Sequence, residues 1–262
     1  MATEVTTKRK QLAEQLLQAE TTLVGTLPLT AADPDLTVEE AYAIQLDNIN
    51  RKVAQGKTIV GKKIGLTSKA MQDLLGVNEP DYGHLLDGMV VENGNVVPKQ
   101  KVLQPKVEGE IAFVLKKELK GPNVTTLDVL QATDYILPAI EVVDSRVRDW
   151  KIQLPDTIAD NASSAFYVLG GKPTRIEDVN LELLGMVLTK NGQLVNTGVG
   201  AAALGNPAQC VAWLANRLAD FDISLQAGEV ILSGALSAAV DANEGDTFTV
   251  KFAHLGEVSV HF

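Results

Sequence analysis

The sequence is poor in the residues that build disulfides, zinc sites and membrane spans. It has one cysteine, Cys210, three scattered histidines, and no apolar run of membrane-spanning length. A single cysteine excludes an intrachain disulfide and favours a reducing compartment, so we expect a cytoplasmic protein. The N-terminus also lacks the apolar core of a signal peptide. Without a cysteine and histidine cluster, a zinc site is not expected.

Positive charge is scarce as well. The chain has 23 lysines and arginines against 33 acidic residues, which gives a net charge of −10. Such a chain is not expected to bind nucleic acid or anionic membranes non-specifically. An anionic substrate would need a local positive site or a metal ion. The remaining composition, 45% hydrophobic and 21% charged over 262 residues, is typical of a globular protein with a substantial core.

Hydrophobic periodicity predicts helices first and mostly strands afterwards. Thr37 and Glu40 have the spacing of a capping box at the start of an N-terminal helix. Later, alternating apolar residues flank the dipeptide Asn191-Gly192, which is typical of a type I′ hairpin turn. We predict an α+β fold in which a helical N-terminal part, residues 1–57, packs on a β-rich catalytic domain, residues 58–262.

Two polar, turn-rich stretches are predicted to be loops. The first covers residues 78–85 and contains Asp81, and the second covers residues 156–164. Asp and Asn tolerate turn conformations, so neither stretch needs a functional explanation on composition alone.

The most informative stretch is residues 104–115, which has the β-branched and apolar residues of a strand. Because side chains alternate between the faces of a strand, Glu108 and Glu110 share one face, roughly 6–7 Å apart. In a half-buried strand this pair is costly unless a cation lies between the carboxylates or one of them is protonated. The alternative is that both residues simply face water.

A third acid favours the interpretation in which Glu108 and Glu110 are buried together. Glu141 is the only charged residue in the apolar run 135–143, so it needs a partner, a proton or a metal. Three carboxylates on two strands offer only oxygen ligands, which suit a hard divalent ion such as Mg²⁺ or Mn²⁺.

Five motifs occur in the same order and with similar spacing as in one known family. They are Gly61-Lys62-Lys63-Ile64-Gly65-Leu66-Thr67-Ser68, Glu79-Pro80-Asp81-Tyr82-Gly83, Glu108-Gly109-Glu110-Ile111-Ala112, Glu141-Val142-Val143-Asp144-Ser145-Arg146 and Ala159-Asp160-Asn161-Ala162-Ser163. With these motifs the chain resembles the 2-hydroxypentadienoate (2-oxopent-4-enoate) hydratases of aromatic meta-cleavage pathways. It also resembles their sister enzymes, the 4-oxalocrotonate decarboxylases. Both groups belong to the fumarylacetoacetate hydrolase-like superfamily, and the resemblance covers nearly the whole chain.

The resemblance implies a rolled, mixed β-sheet and a divalent metal, Mg²⁺ or Mn²⁺, held by Glu108, Glu110 and Glu141. It implies a lyase that adds water to 2-hydroxypenta-2,4-dienoate, through the 2-oxo-3-enoate tautomer, to give 4-hydroxy-2-oxopentanoate. It further implies a homo-oligomer and, in some pathways, a complex of the hydratase with the sister decarboxylase.

Lys63 and Asp81 are the catalytic candidates outside the metal site. Lys63 lies in a predicted strand beside glycines, where burial could lower its pKa or let it bind a substrate carboxylate. The alternative is a solvated lysine next to Lys62. Asp81 could act as a base or position a water molecule, and the alternative is a turn-forming residue after Pro80.

The candidates for substrate binding are Leu66, Asp160, Asn161 and Ser163. Turn chemistry explains the last three equally well. Arg146 could bind a substrate carboxylate, although a structural pair with Asp144 is favoured.

Three other functions remain open. The decarboxylase shares the metal site, and Ala238-Ala239-Val240 resembles decarboxylases, whereas Asp81 favours the hydratase. Hydrolysis of a carbon–carbon bond would need a general base, often a His–Glu pair, which the sequence does not locate. The last alternative is a metal-stabilised subunit without activity. The segment Ser233-Gly234-Ala235-Leu236 could bring backbone N–H groups to the site, and a buried strand end explains the same residues equally well.

Overall fold

The structure is a computed structural model that describes residues 2–262, without the side chains of residues 2–6, 71, 74 and 75. Met1, with which the predicted N-terminal part begins, lies outside the described residues. The α-helices are α1 (Ala2–Thr22), α2 (Leu29–Ala32), α3 (Val38–Ala54), α4 (Lys69–Leu75), α5 (Thr126–Ala132), α6 (Leu154–Ala159) and α7 (Pro207–Leu218). Across the described chain, no helix is both long and apolar enough to span a membrane.

Two sheets form the centre of the molecule. The strands are β1 (Ile59–Gly65), β2 (Asp81–Leu86), β3 (Val90–Val91), β4 (Lys106–Leu115), β5 (Thr133–Val143), β6 (Ser164–Leu169), β7 (Gly185–Lys190), β8 (Gln193–Val199), β9 (Val230–Leu232), β10 (Val240–Asp241), β11 (Thr247–Phe252) and β12 (Gly256–His261). The larger sheet has the order β2-β1-β9-β4-β5-β6-β3, with β10 also paired to β4, and it mixes parallel and antiparallel pairs. The smaller sheet has the order β12-β11-β7-β8. The predicted α+β class with a mixed sheet is confirmed.

The N-terminal helices pack on the larger sheet. The predicted capping box is present at the start of α3: Glu40 N–H donates to the Thr37 hydroxyl, and the Glu40 carboxylate accepts from Thr37 N–H at 3.0 Å. Leu16 of α1 and Ile44 of α3 are buried in the same apolar core as the strands. The division of the chain at residue 57 stays a prediction.

Strand β4 runs through the middle of the larger sheet, between β9 and β5. Its two faces differ. Val107, Ile111 and Phe113 lie in the main apolar core. Ala112 belongs to a smaller apolar cluster on the other face, and Glu110 precedes it by two residues. The glutamate face of β4 is therefore the face of the sheet that carries the site.

The loop predicted over residues 78–85 is wrong in its second half. Residues from Asp81 onward form β2, antiparallel to β1 and fully buried. Asp81 and Tyr82 each keep one buried polar atom without a hydrogen-bond partner among the described residues, whereas His84 is buried as a neutral ring. Burial lowers the pKa of His84 to about 3, so its ring is neutral, and its Nδ1 lies 3.0 Å from Gln45 Oε1.

The loop predicted over residues 156–164 is also wrong in part. Its first residues complete α6, and a 3₁₀ turn, Asn161–Ser163, follows. Asp156 explains the local helix, because its carboxylate accepts from the backbone N–H of Gln153 at 2.9 Å in a capping arrangement. Thr30 on α2 binds the same carboxylate through its hydroxyl at 2.7 Å.

The hairpin predicted at Asn191-Gly192 is confirmed. It joins β7 to β8, and Asn191 and Gly192 have φ values of 52° and 76°. Positive φ at both central residues defines the type I′ turn, whose twist matches that of the flanking strands.

Gly61 marks the closest approach within the larger sheet. A Cβ atom at Gly61 would lie 1.9 Å from the carbonyl oxygen of Val230 on β9. We expect Gly61→Ala to lower the free energy of unfolding by about 1–3 kcal/mol, because the β1–β9 pair must move apart. Denaturant unfolding followed by circular dichroism measures this loss.

Gly185→Ala is the matched control, since Gly185 is also a strand residue and a Cβ there would meet nothing within 4 Å. It should change stability by less than about 0.5 kcal/mol. Equal stability of the two variants would contradict the steric explanation.

Candidate active site

Three carboxyl groups meet where β4 and β5 pair. The register places Glu108 directly opposite Glu141, with Glu110 one step along the same face. One oxygen from each of the three residues lies within 4.8 Å of the others. Glu110 and Glu141 have no exposed surface, and Glu108 is half-buried. The three residues predicted to hold a metal are thus brought together.

Burial makes this cluster electrostatically expensive. It raises the pKa of Glu108 to about 7, with Glu141 adding to the effect and Lys63 opposing it. Burial raises the pKa of Glu110 well above its ordinary value, and the carboxyl groups of Glu141 and Glu108 add to the effect. Carboxylates crowded in a dry site favour protons or a cation between them.

The oxygen atoms of the cluster are suited to a metal ion. Glu110 Oε1 and both carboxylate oxygens of Glu141 are buried and accept no hydrogen bond from any described residue. Unpaired oxygens of this kind are rare inside proteins, because each one loses its hydration without replacement. Three carboxylates that converge with free oxygens fit a hard divalent ion such as Mg²⁺ or Mn²⁺.

A backbone N–H group supports the cluster from a third strand. Gly234 follows β9 and donates its N–H to Glu110 Oε2 at 2.8 Å. Gly234 has a φ of 102°, and a Cβ there would lie 2.3 Å from the Thr67 hydroxyl oxygen. Only glycine combines that conformation with so close an approach. The expectation that segment 233–236 brings a backbone N–H to the site is confirmed.

Lys63 faces the carboxylates from β1. Its Nζ lies 3.3 Å from Glu141 Oε2 and donates to the Ala162 carbonyl oxygen at 3.1 Å. The alternative of a solvated lysine is wrong, since Lys63 is 3% exposed. Lys62, on the opposite face of β1, is equally buried and pairs with Glu229 at 2.7 Å.

The carboxylates keep the Lys63 ammonium charged. Burial alone would lower the pKa of Lys63, but Glu141 and the other nearby carboxyl groups outweigh burial and raise it. The expectation that burial lowers this pKa is therefore wrong, whereas a role in binding an anionic group remains open.

Asp81 lies beside Lys63 on the neighbouring strand. It pairs with Gly65, where a Cβ would lie 2.2 Å from Asp81 Oδ1 and 3.2 Å from Lys63 Nζ. Asp81 is buried, and its Oδ1 has no hydrogen-bond partner within the described part of the chain. Burial raises the pKa of Asp81, with Lys63 opposing. Asp81 is therefore a strand residue of the site and not a turn residue.

The other candidate residues have mostly structural contacts. Arg146 pairs with Asp160, not with Asp144 as expected. Asp144 instead accepts from the backbone N–H groups of Leu103 and Gln104 at 2.8 and 2.7 Å. The Arg146 pair ties the chain beyond β5 to the end of α6, and the Asp144 bonds tie it to the segment before β4.

Asn161 and Ser163 differ in their surroundings. The Asn161 side chain binds both backbone groups of His84, at 2.8 and 3.0 Å. The Ser163 hydroxyl lies 3.3 Å from that of Thr157, which in turn lies 3.5 Å from Asp81 Oδ2. Of the two, Ser163 is connected by contacts to the catalytic candidates.

Leu66 ends β1 in a left-handed conformation, with a φ of 55°. Its carbonyl oxygen accepts from the Gln72 amide at 2.9 Å, which ties α4 to the strand. The Leu66 side chain is half-buried.

Sequence reasoning missed two features of the site. Thr157 is buried beside Asp81, and the Ala162 carbonyl oxygen binds Lys63. Neither leaves a signal in the sequence: a threonine within α6 has an ordinary composition, and a backbone carbonyl has none.

Comparison with known proteins agrees with this geometry. Residues 70–262 match the family described as fumarylacetoacetate (FAA) hydrolase C-terminal. The chain belongs to this family. The match begins after β1 and includes the three glutamates of the cluster, and the predicted FAA hydrolase-like fold is confirmed.

Individual members of the FAA hydrolase family are similar over most of the chain. A 2-hydroxypent-2,4-dienoate hydratase from Pseudomonas putida is 51% identical over 82% of this chain and 97% of its own length. A 2-hydroxyhexa-2,4-dienoate hydratase from Comamonas testosteroni is 46% identical over 98% of this chain and 97% of its own.

A solved structure of a 4-oxalocrotonate decarboxylase from Pseudomonas putida G7, complexed with magnesium and adipate, superposes with a TM-score of 0.94. It is 40% identical and covers 100% of this chain and 98% of its own.

We expect Glu108→Gln to weaken Mn²⁺ binding while the protein remains folded. Replacing residues that only orient metal ligands already costs about 10–100-fold in affinity, so removing a ligand should cost at least as much. Isothermal titration with Mn²⁺ gives the affinity, and circular dichroism checks the fold.

Glu244→Gln is the control, because Glu244 is an exposed acid that pairs with Lys99 at the surface. It should leave Mn²⁺ affinity unchanged. Unchanged Mn²⁺ affinity in Glu108→Gln would contradict the metal site, and loss of fold in that variant would indicate a structural metal instead.

Proposed function

We propose that this protein is a metal-dependent hydratase that adds water to 2-hydroxypenta-2,4-dienoate. The product would be 4-hydroxy-2-oxopentanoate, formed by way of the 2-oxo-3-enoate tautomer. The observation that carries the proposal is the buried carboxylate cluster of Glu108, Glu110 and Glu141, with Lys63 and Asp81 on its border. Similar proteins named as dienoate hydratases, at 51% and 46% identity, support this substrate class.

Glu108, Glu110 and Glu141 would hold the divalent ion, Mg²⁺ or Mn²⁺. Such an ion would supply positive charge that attracts the substrate carboxylate and stabilises the negative charge developing on the 2-oxygen. The chain is acidic overall, so a cation at this point also accounts for the binding of an anionic substrate.

Lys63 contributes the second positive charge of the site. Its ammonium group, kept protonated by the surrounding carboxylates, would bind the substrate carboxylate or its 2-oxygen. The Ala162 carbonyl oxygen and Glu141 fix the position of that group. The proposed role of Lys63 is therefore binding and orientation, not proton transfer.

Asp81 is the proposed acid and base. Ketonisation moves a proton from the 2-hydroxyl group to carbon 5, and hydration then adds hydroxide at carbon 4 and a proton at carbon 3. A buried carboxyl group with a raised pKa can hold the proton that these steps move. Its Oδ1 has no hydrogen-bond partner among the described residues, so it can accept a hydrogen bond from water or substrate. Leu66, Asp160, Asn161 and Ser163 stay proposals as substrate-binding residues, and Ser163 has the contacts that best support one.

Decarboxylation of 4-oxalocrotonate is the second candidate. The structural similarity to a 4-oxalocrotonate decarboxylase, with a TM-score of 0.94, favours it. Both reactions use the same metal site and the same enolate-like charge. They differ in the proton transfers at the distal carbons, for which Asp81 is available.

Turnover of two substrates by the Mg²⁺-loaded protein separates these activities. We expect loss of the ultraviolet absorbance of 2-hydroxypenta-2,4-dienoate without release of CO₂, and loss of this activity on chelation. The second substrate is 2-oxo-3-hexenedioate, tested under identical conditions.

Release of CO₂ from the dicarboxylate, with the dienoate unchanged, would overturn the hydratase and establish the decarboxylase. Turnover of the dienoate that survives chelation would overturn the role of the metal. Turnover of neither substrate by folded, metal-loaded protein would support the metal-stabilised subunit without activity.

We further propose that the protein is a homo-oligomer that associates through β8. This strand is at the edge of the smaller sheet, and no described strand pairs with its outer edge. Leu194, Val195 and Val199 are 63%, 38% and 38% exposed. The strand has no charged residue in a chain of net charge −10, so a second copy can approach here with little repulsion.

We expect the double substitution Val195→Lys and Val199→Lys to shift the protein towards the monomer, because it places charges on an uncharged edge. Light scattering after size-exclusion chromatography measures the mass. Val24→Lys is the control, since Val24 is 62% exposed and lies outside the strands. A wild-type monomer, or an unchanged oligomer in the double variant, would contradict the proposal. A complex with the sister decarboxylase and a cytoplasmic location stay predictions.

A further inference from the structure

A cavity of about 450 Å³ lies between the N-terminal helices and the larger sheet. Helices α1 and α3 form one side, and the segments after β2 and around β6 form the other. Its volume is in the range of small-molecule sites, which are commonly 300–1,000 Å³. None of the proposed metal ligands, nor Lys63 or Asp81, lines it.

The segment Asp160–Ser164 separates this cavity from the carboxylate cluster. Asp160, Asn161 and Ser164 line the cavity. Between them, the Ala162 carbonyl oxygen points to Lys63 and the Ser163 hydroxyl lies by Thr157. The cavity and the carboxylate cluster are therefore on opposite sides of one short segment.

The floor of the cavity is apolar. Leu16, Ile49, Leu86, Leu103 and Phe166 contribute to it from different elements. Four of them are less than 9% exposed, and Leu103 is half-buried. A floor of aliphatic and aromatic side chains suits the apolar body of a ligand.

The charged groups around the cavity mostly neutralise one another. Lys52 Nζ binds the Glu20 carboxylate at 2.7 Å, and Arg146 pairs with Asp160. The remaining acid in the wall, Asp144, already accepts two backbone N–H groups. These contacts leave no acidic group of the described wall free to bind a cationic ligand.

Two lysines that line the cavity have no acidic partner among the described residues. Lys57 and Lys101 are exposed, line the cavity and form no ion pair with any described residue. Lys57 Nζ lies above Gly88, 3.2 Å from where a Cβ would be. Two unpaired ammonium groups over an apolar floor favour a ligand with a negative head and an apolar body.

We propose that this cavity is a second binding site, for a small carboxylic acid with an aromatic or aliphatic body. The carboxylate binds Lys57 and Lys101 at the rim, and the body packs on the apolar floor. The site shares Asp160 and Asn161 with the residues proposed to bind substrate, but no metal ligand, nor Lys63 or Asp81, lines it. Its existence does not depend on the proposed hydratase activity.

The test uses 2-naphthoate as the probe, measured by isothermal titration on the full chain without added metal. We expect saturable binding of one equivalent per chain and no comparable binding of the cationic analogue 2-naphthylmethylammonium. The double substitution Lys57→Glu and Lys101→Glu should weaken binding by at least about tenfold, since it reverses both charges. Lys117→Glu, at an exposed lysine that does not line the cavity, should leave the affinity unchanged.

Two more variants test where the probe binds. Ala165→Phe adds a ring to the cavity wall and should also abolish binding, whereas Glu108→Gln should not affect it. Loss of binding in Glu108→Gln would assign the probe to the carboxylate cluster and overturn the proposal. Absence of saturable binding, or equal affinity in the Lys57→Glu and Lys101→Glu variant with its fold verified by circular dichroism, would overturn it as well.

Discussion

Three carboxyl groups that share one dry face of β4 and β5 impose the charge balance on which the rest of the site depends. Glu108, Glu110 and Glu141 cannot all ionise in a buried cluster without nearby positive charge. The chain supplies part of it, through the Lys63 ammonium and the Gly234 N–H group. Several oxygens still have no partner among the described residues. Under the proposed function, a divalent cation would complete the cluster at these unpaired oxygens.

The buried polar groups of the site meet because the strands approach one another closely. Lys63 on β1 lies 3.3 Å from Glu141 on β5, although β9 and β4 stand between these two strands in the sheet. Gly65 and Gly83 leave room for the buried polar groups, since a Cβ at Gly65 would lie 2.2 Å from Asp81 Oδ1 and one at Gly83 would lie 2.4 Å from the Asn161 carbonyl oxygen. The packing that holds the site is therefore set by the absence of side chains as much as by their presence.

The carboxylate face of the sheet could be predicted from sequence because its signals are local. Glu108 and Glu110 are two residues apart on an apolar strand, and Glu141 is isolated in an apolar run. Strand β2 could not be predicted in this way. Asp81 and His84 look like loop residues, and their burial depends on Lys63, Thr157 and Gln45, which are distant in sequence. Local patterns do not include such partners, so the prediction failed where tertiary contacts replaced water.

The 3₁₀ turn beside Lys63 shows how function and turn chemistry coexist. Asn161, Ala162 and Ser163 all have left-handed φ values, between 48° and 56°, which cost on the order of 1 kcal/mol each. The Asn161 amide bonds to His84 and the Asp160 pair with Arg146 hold the segment in this conformation. Because the conformation is held from both sides, the Ala162 carbonyl oxygen is directed at Lys63. The Asp160 and Asn161 side chains here have structural contacts, and the segment contacts Lys63 through the Ala162 carbonyl oxygen and Thr157 through the Ser163 hydroxyl.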